Sequence, residues 1–229
     1  MPLSRTLRFD GESMKRRFFP AVVLAAMTLV IPAASCASVL TVTNSGPLAP
    51  PSCPTNPCVV ISRTTAVQVK DGSDHEPFEI HERGEIVSWS VTLAVPSSGQ
   101  IHYFDTREGG TSRAALVILR KATGVTYRLV ALSPLVHMQP YFGTTEQIKL
   151  SRPIAVTAGE IVALSVPTWL PALALDYPAT TSWRASRSTG DCTNVTDQTA
   201  QSTLGSAANY DCLYQTALVT YSATEETSR

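Results

Sequence analysis

Residues Gly84 to Val95, GEIVSWSVTLAV, carry an apolar side chain at every second position: Val87, Trp89, Val91, Leu93 and Val95. A period of two is that of a β-strand, whose side chains alternate between the two faces of a sheet. The intervening residues, Ile86, Ser88, Ser90, Thr92 and Ala94, are mostly small or polar. One face is therefore expected to be buried and the other wetter, as in an antiparallel sheet packed on one side.

Runs of the same kind recur on both sides of this strand. Val59 to Ser62, Thr65 to Val69, Phe78 to Glu82, Gln100 to Phe104, Ala114 to Leu119, Thr126 to Leu132, Gln147 to Leu150, Ile154 to Val156 and Ile161 to Val166 are each apolar or β-branched and short enough for a strand. Turn formers separate them: Asp71-Gly72, Pro96-Ser97-Ser98-Gly99, Gly109-Gly110, Gly124 and Ala158-Gly159. Many short strands at regular spacing, with no helical period after the N-terminal segment, predict an all-β fold, an antiparallel β-sandwich that is jelly-roll-like. Trp169 to Pro178 is apolar but broken by Pro171 and Pro178, and reads as a packed loop or sheet edge. Ser186 to Asn209 is polar and reads as a surface excursion, and Tyr214 to Ala223 as the closing strand. The expected organisation is an N-terminal extension and signal peptide over 1–37, a Pro/Ser/Thr-rich lead-in over 38–57, the sandwich over 58–223, and a frayed tail over 224–229.

The chain has 229 residues, of which 44% are hydrophobic and 16% charged, the composition of a globular protein. Its formal charge is zero, but Met1 to Ala37 holds five cations and two acids, which leaves the remainder with thirteen cations against sixteen acids. With no basic run after residue 37, a nucleic-acid partner lacks its usual electrostatic attraction. Met14 to Ala37, MKRRFFPAVVLAAMTLVIPAASCA, has a basic start, an apolar run and small residues before a cut after Ala37, the pattern of a secretory signal. A membrane association would come only from an uncleaved anchor over Phe18 to Leu40 or from lipidation at Cys36. Loss of Cys36 with the signal leaves Cys53, Cys58, Cys192 and Cys212, an even set in an exported chain and hence a disulfide framework. Local loop closure favours Cys53 with Cys58 and Cys192 with Cys212; a zinc site would need a tighter spacing of pairs.

The order Gly84-Glu-Ile-Val-Ser-Trp-Ser-Val, then Ala115-Leu-Val-Ile-Leu-Arg, then Ile154-Ala-Val-Thr-Ala-Gly-Glu-Ile-Val-Ala-Leu resembles uncharacterised bacterial secreted β-sandwich proteins with a G-x-I/V-x-x-W strand and an A-G-D/E-x-I/V-x-L strand. The resemblance covers Thr65 to Val166. It implies the fold and an exported setting, and no activity.

Catalytic signatures are missing from the sequence. There is no Gly-x-Ser-x-Gly elbow, no phosphate-binding glycine loop and no His-Glu-x-x-His, since His81-Glu82 is followed by Arg83-Gly84-Glu85. His75, His81, His102 and His137 are scattered, and Glu79, Glu82, Glu85 and Glu108 form no pair that strand parity would set face to face. Asp71, Asp74 and Glu76 are the calcium candidates, hard oxygen donors close together on a turn; a solvated hairpin tip explains the same residues more simply. Ligand binding asks for aromatic platforms beside polar groups, and Tyr141, Phe142, Trp169, Asp176 and Tyr177 are the candidates, in competition with a plain packing role for each ring. Trp89 and Trp183 are assigned to the core. Asn194-Val195-Thr196 is a glycosylation sequon. The expected function is that of an exported binding or surface-interaction module without a cofactor, its partner a cell-wall glycan or another surface protein. A secreted hydrolase and a purely structural envelope protein are the alternatives.

Overall fold

A computed structural model describes residues 37–193 and 198–228. The expected signal peptide, the lipidation candidate Cys36 and the sequon at Asn194 lie outside the described residues. In chain order the elements are β1 (Ala37–Val42), β2 (Ile61–Asp71), β3 (Asp74–His75), β4 (Gly84–Thr92), α1 (Ser98–Arg107), β5 (Arg113–Lys121), β6 (Thr126–Leu132) and β7 (Val136–His137). They continue with β8 (Thr145–Val156), β9 (Glu160–Leu170), β10 (Leu173–Ala174), β11 (Ser182–Ala185), β12 (Ala207–Asn209), β13 (Cys212–Gln215), β14 (Leu218–Val219) and β15 (Tyr221–Ser228). The protein is all-β and antiparallel, a sandwich of unequal sheets. The smaller runs β1-β15-β4-β8, and the larger, curled sheet runs β12-β6-β5-β9-β2-β11-β13, with β3 on β2 and β7 on β5.

The core lies between the sheets. Trp89, Val91, Tyr221 and Ala223 come from the smaller sheet and Val67, Leu116, Ile118, Val162 and Leu164 from the larger. Tyr221 joins them twice: its ring stacks on Phe78 at 4.1 Å, and its hydroxyl donates to the Val162 carbonyl at 2.9 Å. Burial drives the acidity of that hydroxyl well below that of a free phenol, so it stays a donor.

Gly84 to Val95 forms the inner strand expected of it, with one correction to its faces. Trp89, Val91 and Leu93 are buried, but the buried apolar residue before them is Ile86, not Val87. Val87 is an extra residue against β15, where Ser88 faces Thr224 and Ile86 already faces Glu225. A bulge of this kind reverses the alternation. At the other end Val95 is 55% exposed, beyond the end of β4.

Other expectations change for physical reasons. Gln100 to Phe104, expected as a strand, belongs to α1. Its start is a capping box: the Ser97 hydroxyl accepts the Gln100 N–H, and the Gln100 side chain accepts the Ser97 N–H at 2.8 Å. Two orphan amides are satisfied at the helix start, and Pro96 to Gly99, read as a turn, contains that start. The lead-in and the tail are not loose ends. β1 pairs with β15 from Ala37 against Ser228 to Val42 against Ala223, so residues assigned to a frayed tail form a central strand of the smaller sheet. Tyr214 to Ala223 is not one strand: it breaks at Thr216, whose φ is 61°, and supplies parts of β13, β14 and β15.

The polar excursion Ser186 to Asn209 returns to the interior. Gln201 is buried, donates through Nε2 to the carbonyls of Tyr127 and Ser206 at 3.2 and 2.9 Å, and accepts the Tyr210 hydroxyl at 2.7 Å. Both expected disulfides, Cys53–Cys58 and Cys192–Cys212, are present. Such bridges belong to an oxidising environment. Among the described residues no helix is long and apolar enough to cross a membrane.

Candidate functional site

Asp105 organises the end of the molecule where β9, α1 and the 3₁₀ turn Gln139–Tyr141 meet. Pro167 and Thr168 lie where β9 slips register against β2, and Arg63 opposite them has a positive φ of 48°. An irregularity is where a strand tolerates proline. Beyond it Trp169 is 0% exposed, and its indole N–H donates to Asp105 Oδ1 at 2.9 Å and to the Gly110 carbonyl at 3.0 Å. The Gln139 side-chain amide donates to both Asp105 oxygens, at 3.0 and 2.9 Å. One carboxylate thus ties together the helix, the strand end and the turn.

The aromatic rings follow the same arrangement. Trp169 contacts Phe104 of α1 at 5.0 Å and Phe142, just past the 3₁₀ turn, at 5.5 Å. Trp169 is therefore a buried peg rather than an open platform, because an indole in the interior needs an acceptor and finds a charged one. Tyr141 and Phe142 are half-buried. Gly143 holds the chain beside Val95 with a φ of 84°; a Cβ there would meet Val95 Cγ2 at 2.5 Å.

The ring most open to solvent on this face escaped the sequence reading. Tyr103, on α1, is 56% exposed, stands edge-on to Phe104 at 5.5 Å and has the Arg107 guanidinium 5.9 Å from its ring centre. Tyr103 and Arg107 are four residues apart, and the helix brings them together. The signal that could have found the pair is Ser97-x-x-Gln100, which announces a helix.

No family model matches this chain, and neither a curated protein nor a solved structure does.

The other candidates stand apart from this face. Asp176 is exposed with a φ of 64°. Tyr177 next to it accepts the Ala49 N–H at 2.8 Å and holds the lead-in against the domain. Asp71 and Asp74 face each other across the hairpin from β2 to β3, where Gly72 takes the positive φ (64°) that a two-residue loop needs. Asp71 accepts the Ser45 N–H at 2.7 Å, Asp74 accepts the Ser45 hydroxyl at 2.8 Å, and Glu76 pairs with Lys121 at 2.6 Å. The Glu76 carboxylate raises the Lys121 pKa, working against partial burial. These oxygens have protein partners, and among the described residues no group of three or more His, Cys, Asp and Glu is placed to hold a metal. His75, His81, His102 and His137 are all exposed.

The two motifs that carried the resemblance turn out to be framework positions. Gly84 lies under β15, where a Cβ would meet Glu225 Oε1 at 2.6 Å and the Glu226 carbonyl at 2.7 Å. Glu225 itself is 2% exposed with Oε1 unpartnered; burial raises its pKa, the charge of Glu82 adds to this, and His81 opposes it. In the other motif Gly159 turns the chain with a φ of 83°, and the Glu160 carboxylate accepts the Thr157 N–H at 2.9 Å and pairs with Arg120 at 2.7 Å. Residues of both motifs, Gly84 and Glu85 of the first and Ala155, Val156 and Thr157 of the second, line one cavity of about 600 Å³.

Proposed function

We propose that the protein is an exported, non-catalytic binding module that reads its partner, a cell-wall glycan or another surface protein, on the face carrying α1 and the turn at Gln139–Tyr141. One observation carries this reading: Tyr103 is an open ring on a helix that is fastened from beneath through Asp105 and Trp169. A ring held in place loses little freedom when a sugar face or an apolar side chain stacks on it. Tyr141 and Phe142 extend the same aromatic face, and Arg107 adds a donor beside it. The two disulfides and the signal-like N-terminal sequence support export.

The test is a screen of the exported protein against glycan arrays and cell-wall preparations. Binding that weakens by about tenfold or more in Tyr103→Ala, with the melting temperature unchanged, is the expected result. Failure to bind any of them, together with turnover of a simple ester or glycoside, would replace the binding module with a hydrolase.

A further inference from the structure

Arg187, two residues past β11, is 5% exposed. A guanidinium has five N–H donors. One reaches the Tyr214 hydroxyl at 2.8 Å and another the Ser62 carbonyl. Nε has no partner, and among the described residues no carboxylate forms an ion pair with this cation. Burial of a charge without a counter-charge is costly, which is why arginine is seldom found inside without an acid.

Arg187 lines a cavity of about 250 Å³. The remaining wall is chiefly apolar: Val59, Leu173, Leu175 and Ala217, with the Trp183 and Tyr214 rings stacked at 4.6 Å. The indole N–H of Trp183 is also buried without an acceptor. The two lining residues that keep an unmatched buried polar atom are thus both donors, and one of them is cationic. A neutral polyol would leave that charge unmatched and set hydroxyls against apolar side chains; a cation would be repelled.

We propose that this cavity binds a small organic acid, a carboxylate on a compact apolar or aromatic body. The carboxylate seats on the open N–H groups of Arg187, whose planar fork matches its two oxygens, and the body lies against Trp183, Leu173 and Leu175. By comparison with a cavity of about 150 Å³ that takes one benzene, the guest has roughly ten non-hydrogen atoms. The site shares no residue with the α1 face, so each can fail without the other.

The experiment measures binding of phenylacetate and hexanoate to the exported full chain by calorimetry and by saturation-transfer NMR, with phenylacetamide and hexanamide as neutral counterparts. Saturable binding of the acids, at least about tenfold tighter than that of the amides, is expected, since a site built around a charged donor rejects a ligand that leaves it unpaired. Arg187→Gln should erase the preference. Where that variant does not fold, Leu175→Trp, at a half-buried wall position, decides: it should block acid binding and leave glycan or cell-wall binding on the α1 face intact. Equal affinity for acid and amide, unchanged acid binding in either variant, or no saturable binding of any probe up to about 10 mM overturns the proposal.

Discussion

Replacing Trp169 with Phe keeps a ring between Phe104 and Phe142 and removes the single hydrogen shared by Asp105 and the Gly110 carbonyl. A hydrogen bond to a charged group contributes about 1.5–3 kcal/mol. Because one hydrogen serves both acceptors, the Gly110 carbonyl adds little to that figure. The smaller ring leaves a void that costs roughly 1 kcal/mol more, so the expected loss is about 2.5–4 kcal/mol. Asp105 keeps Gln139, which should prevent wholesale collapse and confine much of the loosening to α1. Urea unfolding followed by circular dichroism should show the midpoint fall by about 1–2 M, taking a slope near 2 kcal/mol per M. Hydrogen exchange should accelerate in Ser98–Arg107. Asp105→Asn should weaken the same helix, and the double variant should lose less than the sum of the two, because the residues share one bond. A midpoint within about 0.3 M of the parent, with unchanged exchange in α1, would refute the assignment of Trp169 and Asp105 as the fastening of this face.

The bulge at Val87 gives a contrast between neighbours: Ile86→Ala should cost about 2–4 kcal/mol in chemical unfolding, and Val87→Ala less than about 1. Trp89→Ala, in the middle of the core, should cost about 3–5 kcal/mol in the same assay. Glu225 has a folded pKa above its unfolded value, so its contribution to stability is fully present below the unfolded carboxylate pKa and is lost as pH rises through the folded one. Glu225→Gln should therefore be the more stable protein at pH 7.5, with the advantage gone near pH 3.5, read from urea midpoints at both. Reduction of Cys192–Cys212 opens a loop of sequence separation 20 and should cost about 3 kcal/mol, and Cys53–Cys58 about 2, by thermal unfolding of serine variants. Thiol titration of the folded protein should find none of these four cysteines reactive.

Local signals carried the elements that local physics decides. Alternation marked β4, short apolar or β-branched runs marked β5, β6 and the first part of β9, and turn formers marked the hairpin at Gly72 and the corner at Gly159. The cysteine pairs were legible because a short closed loop is the least demanding way to pair four thiols. The candidate site was less so. Tyr103 is hidden when Gln100 to Phe104 is read as a strand, although Ser97-x-x-Gln100 has the spacing of a capping box. For Trp169 an open platform and a packing role both fit the sequence, because its exposure depends on whether an acceptor such as Asp105, distant in sequence, arrives beside it. Arg187, between two serines, reads as an ordinary solvated cation.

The sequence by itself determined that this chain is an all-β, antiparallel sandwich with two local disulfides. Residue alternation, turn chemistry and loop closure act over a few positions and need no knowledge of what lies opposite. Only the tertiary structure decided which side of β4 is buried beyond the bulge, that the two ends of the domain pair as β1 and β15, and that Trp169, Arg187 and Glu225 are interior. Each of these depends on a partner strand or an acceptor brought in from far along the chain, and that meeting is fixed by packing rather than by any neighbouring residue.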